Sequence, residues 1–319
     1  MSACTAAPAA ARRSSGLIYL VIAGLLWGTG GLTGSLLGRM AGLPPLSVAA
    51  YRLTVGGALV VVFLTLTSGR RRWPTGRAAW TRIAVTGVLA AFFQGCYFSA
   101  VALTSVSLAT LVTIGSVPVL VQAAGWLRGQ RSGRGLATTG LALAGLVLLV
   151  GLPSGRFPES AVLASSGMAV LAATGFATMT LIGTRPVPEL DDLAVTGFGF
   201  TAGGCALMAV AGIIGSLGFA PRPASIGLLI ALGTGPTAVA YTSYFHGLRS
   251  SGAGTAALLS LLEPLTGTIL AVLLLGDRLS PTGVAGAVTL AAAVILTVRG
   301  QRVGPGNAAP VRCAELRGD

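Results

Sequence analysis

The sequence predicts an all-α membrane protein: ten transmembrane helices arranged as two inverted five-helix repeats. Three observations carry this. Of 319 residues, 53% are hydrophobic and 9% charged, with a mean hydropathy of +0.84. A soluble chain carries about 25% charged residues, so this one has too few to cover a globule in water. Apolar runs near the ~20 residues that cross a bilayer recur along the whole chain. Short motifs of the first half return in the second.

Residues 1–15 form a small polar tail in which Arg12-Arg13 resembles the start of an export signal. The run at 17–37 is long enough to span and lacks a small-x-small cleavage site, so it reads as a first membrane helix. Further runs at 46–67, 83–103, 106–127 and 135–152 complete one five-helix copy over 16–152. Runs at 161–183, 193–216, 224–246, 252–275 and 281–298 make the second over 161–298, followed by a tail at 299–319. Connections are short and punctuated by Pro44-Pro45, Trp73-Pro74, Pro153, Pro186, Pro188, Pro221, Pro223 and Pro281. Glycine, at 47 residues, is about twice its usual ~7% share. Gly24/Gly28, Gly30/Gly34/Gly38 and Gly199/Gly203 read as ridges for close helix contact in lipid.

All 21 basic residues are arginine and the net charge is +13. They lie in short loops rather than along one face, so they read as topology signals and not as a nucleic-acid surface. With both termini in the cytoplasm, sixteen fall inside: Arg12, Arg13, Arg70, Arg71, Arg72, Arg77, Arg82, Arg128, Arg131, Arg134, Arg185, Arg249, Arg299, Arg302, Arg312 and Arg317. Arg39, Arg156, Arg222 and Arg278 fall outside, and Arg52 lies within the second span. The expected location is a bacterial inner membrane. Cys4, Cys96, Cys205 and Cys313 show no metal-ligand spacing and are expected to be free. With one His in the chain, no His-based metal site is expected, and no cofactor is called for. The glycines at 28–34 are no phosphate loop, since no strand precedes them and no lysine follows.

The repeat is visible at three places. Leu26-Trp27-Gly28-Thr29 faces Gly175-Phe176-Ala177-Thr178, Pro118 faces Pro264, and Gly129-Gln130-Arg131 faces Gly276-Asp277-Arg278. Five spans is an odd number, so the second copy must enter the membrane from the opposite side. Inverted repeats with broken helices at corresponding positions point to a binding site at the bilayer midplane. Pro118 and Pro264 are the expected breaks.

The ninth run holds the least membrane-like residues, Leu261-Leu262-Glu263-Pro264-Leu265. An acid at a bilayer centre costs about 2.5–3.5 kcal/mol on insertion scales, and a proline removes a backbone donor. Both are tolerated where they face protein or a wet cavity. Glu263 and Pro264 are therefore expected to line a transport path, with Glu263 as a substrate-ammonium or proton site.

Taken together, Leu26-Trp27-Gly28, Ala50-Tyr51-Arg52-Leu53, the proline-centred fourth run, and Leu262-Glu263-Pro264 followed by Leu275-Gly276-Asp277-Arg278-Leu279-Ser280 resemble the EamA family of the drug/metabolite transporter superfamily. The likeness spans about 16–298. It departs at Gln130, where the family usually has an acid, and at Asp277, where Glu is commoner. The resemblance implies alternating-access export of amino acids, other small metabolites or drug-like compounds through a central cavity. It also implies that the fifth and tenth helices stand apart as packing or homodimer elements.

Further candidates for that cavity are Trp27, Gln94, Tyr97, Tyr241, Thr113 and Ser116, the last two sharing a helix face with Thr110 above Pro118. Arg52 sits about 10 Å from the outer surface and Glu263 about 18 Å, by helical rise. Arg52 is expected to snorkel outward, although a pair with Glu263 is within reach. Tyr244 is expected to anchor in the interfacial belt and His246 to be a solvated helix end. The rival class, a lipid-modifying membrane enzyme, would need clustered catalytic groups. The one acidic cluster, Glu189/Asp191/Asp192, is expected to lack a His or Lys partner.

Overall fold

The computed structural model describes residues 9–68, 73–130, 132–151, 157–214 and 217–303. Arg70, Arg71, Arg72, Arg131, Arg156, Arg312 and Arg317, together with Cys4 and Cys313, lie outside the described residues. Among the described residues there is no strand, and ten helices are long and apolar enough to cross a membrane. They are α1 (Ala9–Ala41), α2 (Pro45–Ser68), α3 (Arg77–Leu103), α4 (Val106–Leu127), α5 (Gly133–Val150), α6 (Glu159–Gly183), α7 (Asp192–Ile213), α8 (Pro223–Ser251), α9 (Ala253–Leu275) and α10 (Pro281–Val303).

Local chemistry sets the ends. The Ser105 hydroxyl accepts from Leu108 N at the start of α4, and Ser132 does the same from Gly135 N at α5. These caps satisfy amides that the first turn leaves unpaired. Past α4 and α9 the chain turns through Gly129 (φ +78°) and Gly276 (φ +73°), a left-handed backbone that glycine takes without a Cβ penalty. The same turn stands at the same place in both halves.

Packing repeats with the same symmetry. α2 lies on α7 and α5 on α10, while α3 on α6 is matched by α8 on α1, and α4 on α6 by α9 on α1. Each contact survives exchange of helix n for helix n+5, as two inverted five-helix repeats require. The start of α1 and the end of α10 lie on one side, called here the terminal face. Close crossings fall at glycines. A Cβ on Gly203 would sit 2.5 Å from Gly87 O, and one on Gly145 would sit 2.6 Å from Leu290 N.

The breaks are less symmetric than the prolines suggest. In α9 the helix is interrupted at Ser260 and Leu261, one turn before Pro264. Pro264 has no N–H for Ser260 O, which accepts instead from Glu263 N at 3.0 Å. Pro118, in contrast, lies buried inside an unbroken α4, so the expected matching break in the first half is absent. The second interruption is in α8, where Gly233–Val239 forms a π-helical segment around Pro236. Such segments arise where an i→i−4 ladder is disrupted. Both irregular helices thus belong to the second half.

Candidate functional site

A cavity of about 340 Å³ opens at the face opposite the termini, where Arg39, Leu43, Pro45, Val101 and Val106 ring its mouth. Its depth is reached by α1, α2, α3, α4 (through Ile114), α6, α8 and α9; neither α5 nor α10 contributes a lining residue.

The cavity wall carries an aromatic cluster on the two-fold axis. Trp27 of α1 meets Phe176 of α6 at 5.8 Å between ring centres, and these are the residues paired by the sequence repeat. Trp27 meets Tyr241 of α8 at 4.9 Å, and Phe176 meets Phe93 of α3 at 5.3 Å. Tyr241 lies ten residues before the end of α8 and Phe93 ten before the end of α3, so these two contacts are symmetry copies. Offset and edge-on rings of this kind add about 0.5–1.5 kcal/mol each beyond their buried area.

Onto this apolar frame the chain places two opposite charges that have no symmetry copies. Glu263 lines the cavity beside the α9 break. Arg52 lines it from α2, beside the Tyr241 hydroxyl. No ion pair joins them. Arg52 is held among cavity residues with a buried Nε rather than snorkelled to the surface, because Gly30 leaves room for its guanidinium. Arg52 Nε, Trp27 Nε1 and Gln94 Nε2 are buried donors with no hydrogen-bond partner among the described residues. A buried unpaired donor costs about 1–3 kcal/mol, which a ligand acceptor recovers.

Of the sequence candidates, Trp27, Arg52, Gln94, Tyr97, Tyr241 and Glu263 meet in this cavity. The Tyr97 and Thr110 hydroxyls are 2.7 Å apart, which fixes the ring. Thr113 is buried and donates to Ala169 O at 3.2 Å, tying α4 to α6. Ser116 faces a separate apolar groove beside Leu143 and Val147 of α5. Pro118 and Pro264 do not line the cavity; Pro264 acts through the break that it imposes. Residues missed in the sequence are Phe93, Phe98 and Ser260, together with Pro236, whose interruption of α8 lies against Gly30. The repeat spacing of 146–149 residues, subtracted from Tyr241, falls on 92–95 and would have found Phe93.

Three readings at the terminal face are corrected. Tyr244 is not an interfacial anchor: it is 1% exposed, with its hydroxyl 2.7 Å from that of Thr180. The acidic loop does have partners, since Asp192 Oδ1 lies 2.7 Å from an Arg249 guanidinium nitrogen and Oδ2 lies 3.4 Å from His246 Nδ1. His246 is 57% exposed, yet its ring faces this acid and packs edge-on to Tyr19 at 4.5 Å. Packing of the start of α7 against the end of α8 brings these groups together, a contact that sequence spacing does not reveal. Cys96 and Cys205 are free.

A model of the EamA-like transporter family matches residues 14–151 and again 164–299. The chain belongs to the EamA-like transporter family. A Bacillus subtilis protein described as uncharacterized transporter YwfM is 30% identical over 271 residues, 83% of this chain and 87% of that one. The aromatic amino acid exporter YddG of Ancylobacter novellus is 26% identical over 295 residues, 89% of this chain and 95% of that one. A solved crystal structure at 24% identity shares the fold, with a TM-score of 0.75 over 92% of this chain and 99% of that one. This EamA-like chain is therefore a multi-pass membrane transporter whose two family repeats enclose the cavity.

Because Tyr244 lies outside the cavity, Tyr244→Phe should lower stability by about 1 kcal/mol through the lost Thr180 bond. Substrate preference should stay unchanged, as read by thermal unfolding and by competition transport. A changed preference would place Tyr244 in the path.

Proposed function

We propose that this transporter exports amino acids with aromatic or large apolar side chains across a bacterial inner membrane by alternating access, without chemical conversion of the substrate. The observation that carries the reading is one carboxylate, Glu263, and one guanidinium, Arg52, sharing an aromatic cavity without pairing to each other. A zwitterion meets both, its ammonium at Glu263 and its carboxylate at Arg52, with Trp27 and Gln94 offering further donors. Trp27, Phe93, Phe98, Phe176 and Tyr241 then hold the side chain. The exporter of Ancylobacter novellus supports the same substrate class. With both termini cytoplasmic, as the arginine distribution favours, the cavity opens to the exterior. Coupling runs through proton exchange at Glu263 or down the substrate gradient.

The apolar walls also favour a second reading, efflux of drug-like amphiphiles. The size of about 340 Å³, near the small end of the ~300–1,000 Å³ range of ligand pockets, favours the amino acid.

Counterflow in liposomes, with and without a pH gradient, separates the two. Phenylalanine should exceed glycine by about tenfold or more, and phenethylamine and hydrocinnamate, each lacking one charge, should both be poor substrates. Equal uptake of phenethylamine and phenylalanine would remove the zwitterion reading in favour of amphiphile efflux.

A further inference from the structure

We propose that Asp192, Arg249 and His246 form a latch that holds the terminal face shut while the cavity is open at the other face, and that it must part when access switches. The argument comes from the two-fold. Asp192 is the first residue of α7, and the first residue of α2 is Pro45. Arg249 lies two residues and His246 five before the end of α8 at Ser251, matching Val101 and Phe98 in α3, which ends at Leu103. Pro45, Phe98 and Val101 all line the open cavity and its mouth. The ion pair therefore occupies the symmetry image of the mouth. Where one image is parted, the other is bonded.

The latch has the character of a closure that can break. The Asp192 side chain is 8% exposed and would be costly without a partner, whereas Arg249 remains 31% exposed, so water can take over its charge on opening. The Arg249 contact is a close ion pair without hydrogen-bond alignment, since Asp192 Oδ1 has no hydrogen-bond partner. α1 reinforces the closure. A Cβ on Gly247 would sit 2.6 Å from Gly16 O, so α1 and α8 touch backbone to backbone there. On the same face, Arg82 donates to Ile182 O at 2.7 Å, tying α3 to the end of α6. The matching positions at the mouth carry no charge, so the bias toward this closed terminal face comes from one end only.

The proposal rests on alternating access but not on the substrate, and its test needs no substrate. Val195 is the fourth residue of α7, matching Val48 of α2, which lines the cavity; Val195 itself is buried. In a chain with the four native cysteines changed to alanine, Val195→Cys in nanodiscs should react slowly with a water-soluble maleimide. Asp192→Asn or Arg249→Gln should raise that rate by about tenfold, the size expected for a partly solvated pair. The double exchange Asp192→Arg with Arg249→Asp should bring it back toward the native rate. If the single variants do not assemble, His246→Ala should still raise the rate, by less. Unchanged labelling in every variant that assembles, or a double exchange as reactive as the single variants, overturns the latch. Labelling as expected together with no amino-acid counterflow by the native chain would instead count against the substrate reading alone.

Discussion

Glu263→Gln is expected to reduce phenylalanine counterflow by about tenfold or more and to flatten its dependence on pH. Glutamine keeps the volume of the side chain and leaves Pro264 and the break at Ser260–Leu261 in place. What it removes is the negative charge facing Arg52 across the cavity. A hydrogen bond to a charged group contributes about 1.5–3 kcal/mol, which sets the tenfold scale. The pH arm separates two roles. If Glu263 only anchors the ammonium, native transport falls as acid neutralises the carboxylate and the variant is uniformly slow. If Glu263 also carries the exchanged proton, the variant additionally loses the stimulation by an imposed pH gradient. Native rate and native pH dependence in the variant would remove both roles together.

Gly28→Leu is expected to abolish transport and lower the thermal midpoint, although Gly28 touches no substrate. A Cβ at this position would run into the Thr266 side chain and lie 2.9 Å from Glu263 O. Gly24, one turn earlier, meets Leu259 O at 2.8 Å, so α1 and the broken part of α9 are in contact along a glycine face. Overpacking of this sort costs about 1–3 kcal/mol. The strain falls on the segment that carries Glu263, so function should suffer more than stability. Gly31→Ala is the comparison: nothing lies within 4 Å of its Cβ position, and its midpoint should match the native chain. An unchanged transport rate for Gly28→Leu in a folded protein would mean that α9 does not depend on α1 for its position.

Much of this was readable in one dimension because lipid imposes a one-dimensional rule. A span must be apolar over its whole length, so the runs at 106–127, 161–183 and 252–275 coincide with or fall within two residues of α4, α6 and α9. Trp27, Arg52, Gln94 and Glu263 stood out because polar or indole groups inside such runs need protein or water around them. Side-chain identity alone could not say which hydroxyls reach the cavity. Thr113 and Ser116 share a helix face, yet one is consumed by Ala169 O and the other looks into a groove beside α5. Nor could it tell that Pro118 would leave α4 whole while Pro264 breaks α9.

By itself the chain determined the ten spans, the repeat and the pairing of Trp27 with Phe176, because each follows from local hydrophobicity or from motifs that recur at fixed spacing. Tertiary structure alone decided that Arg52 turns inward to the cavity rather than outward to the surface. It also decided that Asp192 finds Arg249 and His246 across the α7–α8 contact, and that one face is open while its symmetry image is bonded. Those outcomes depend on which helix ends meet in space. That is set by glycine-mediated close packing between segments distant in sequence, and not by any property of the segments taken singly.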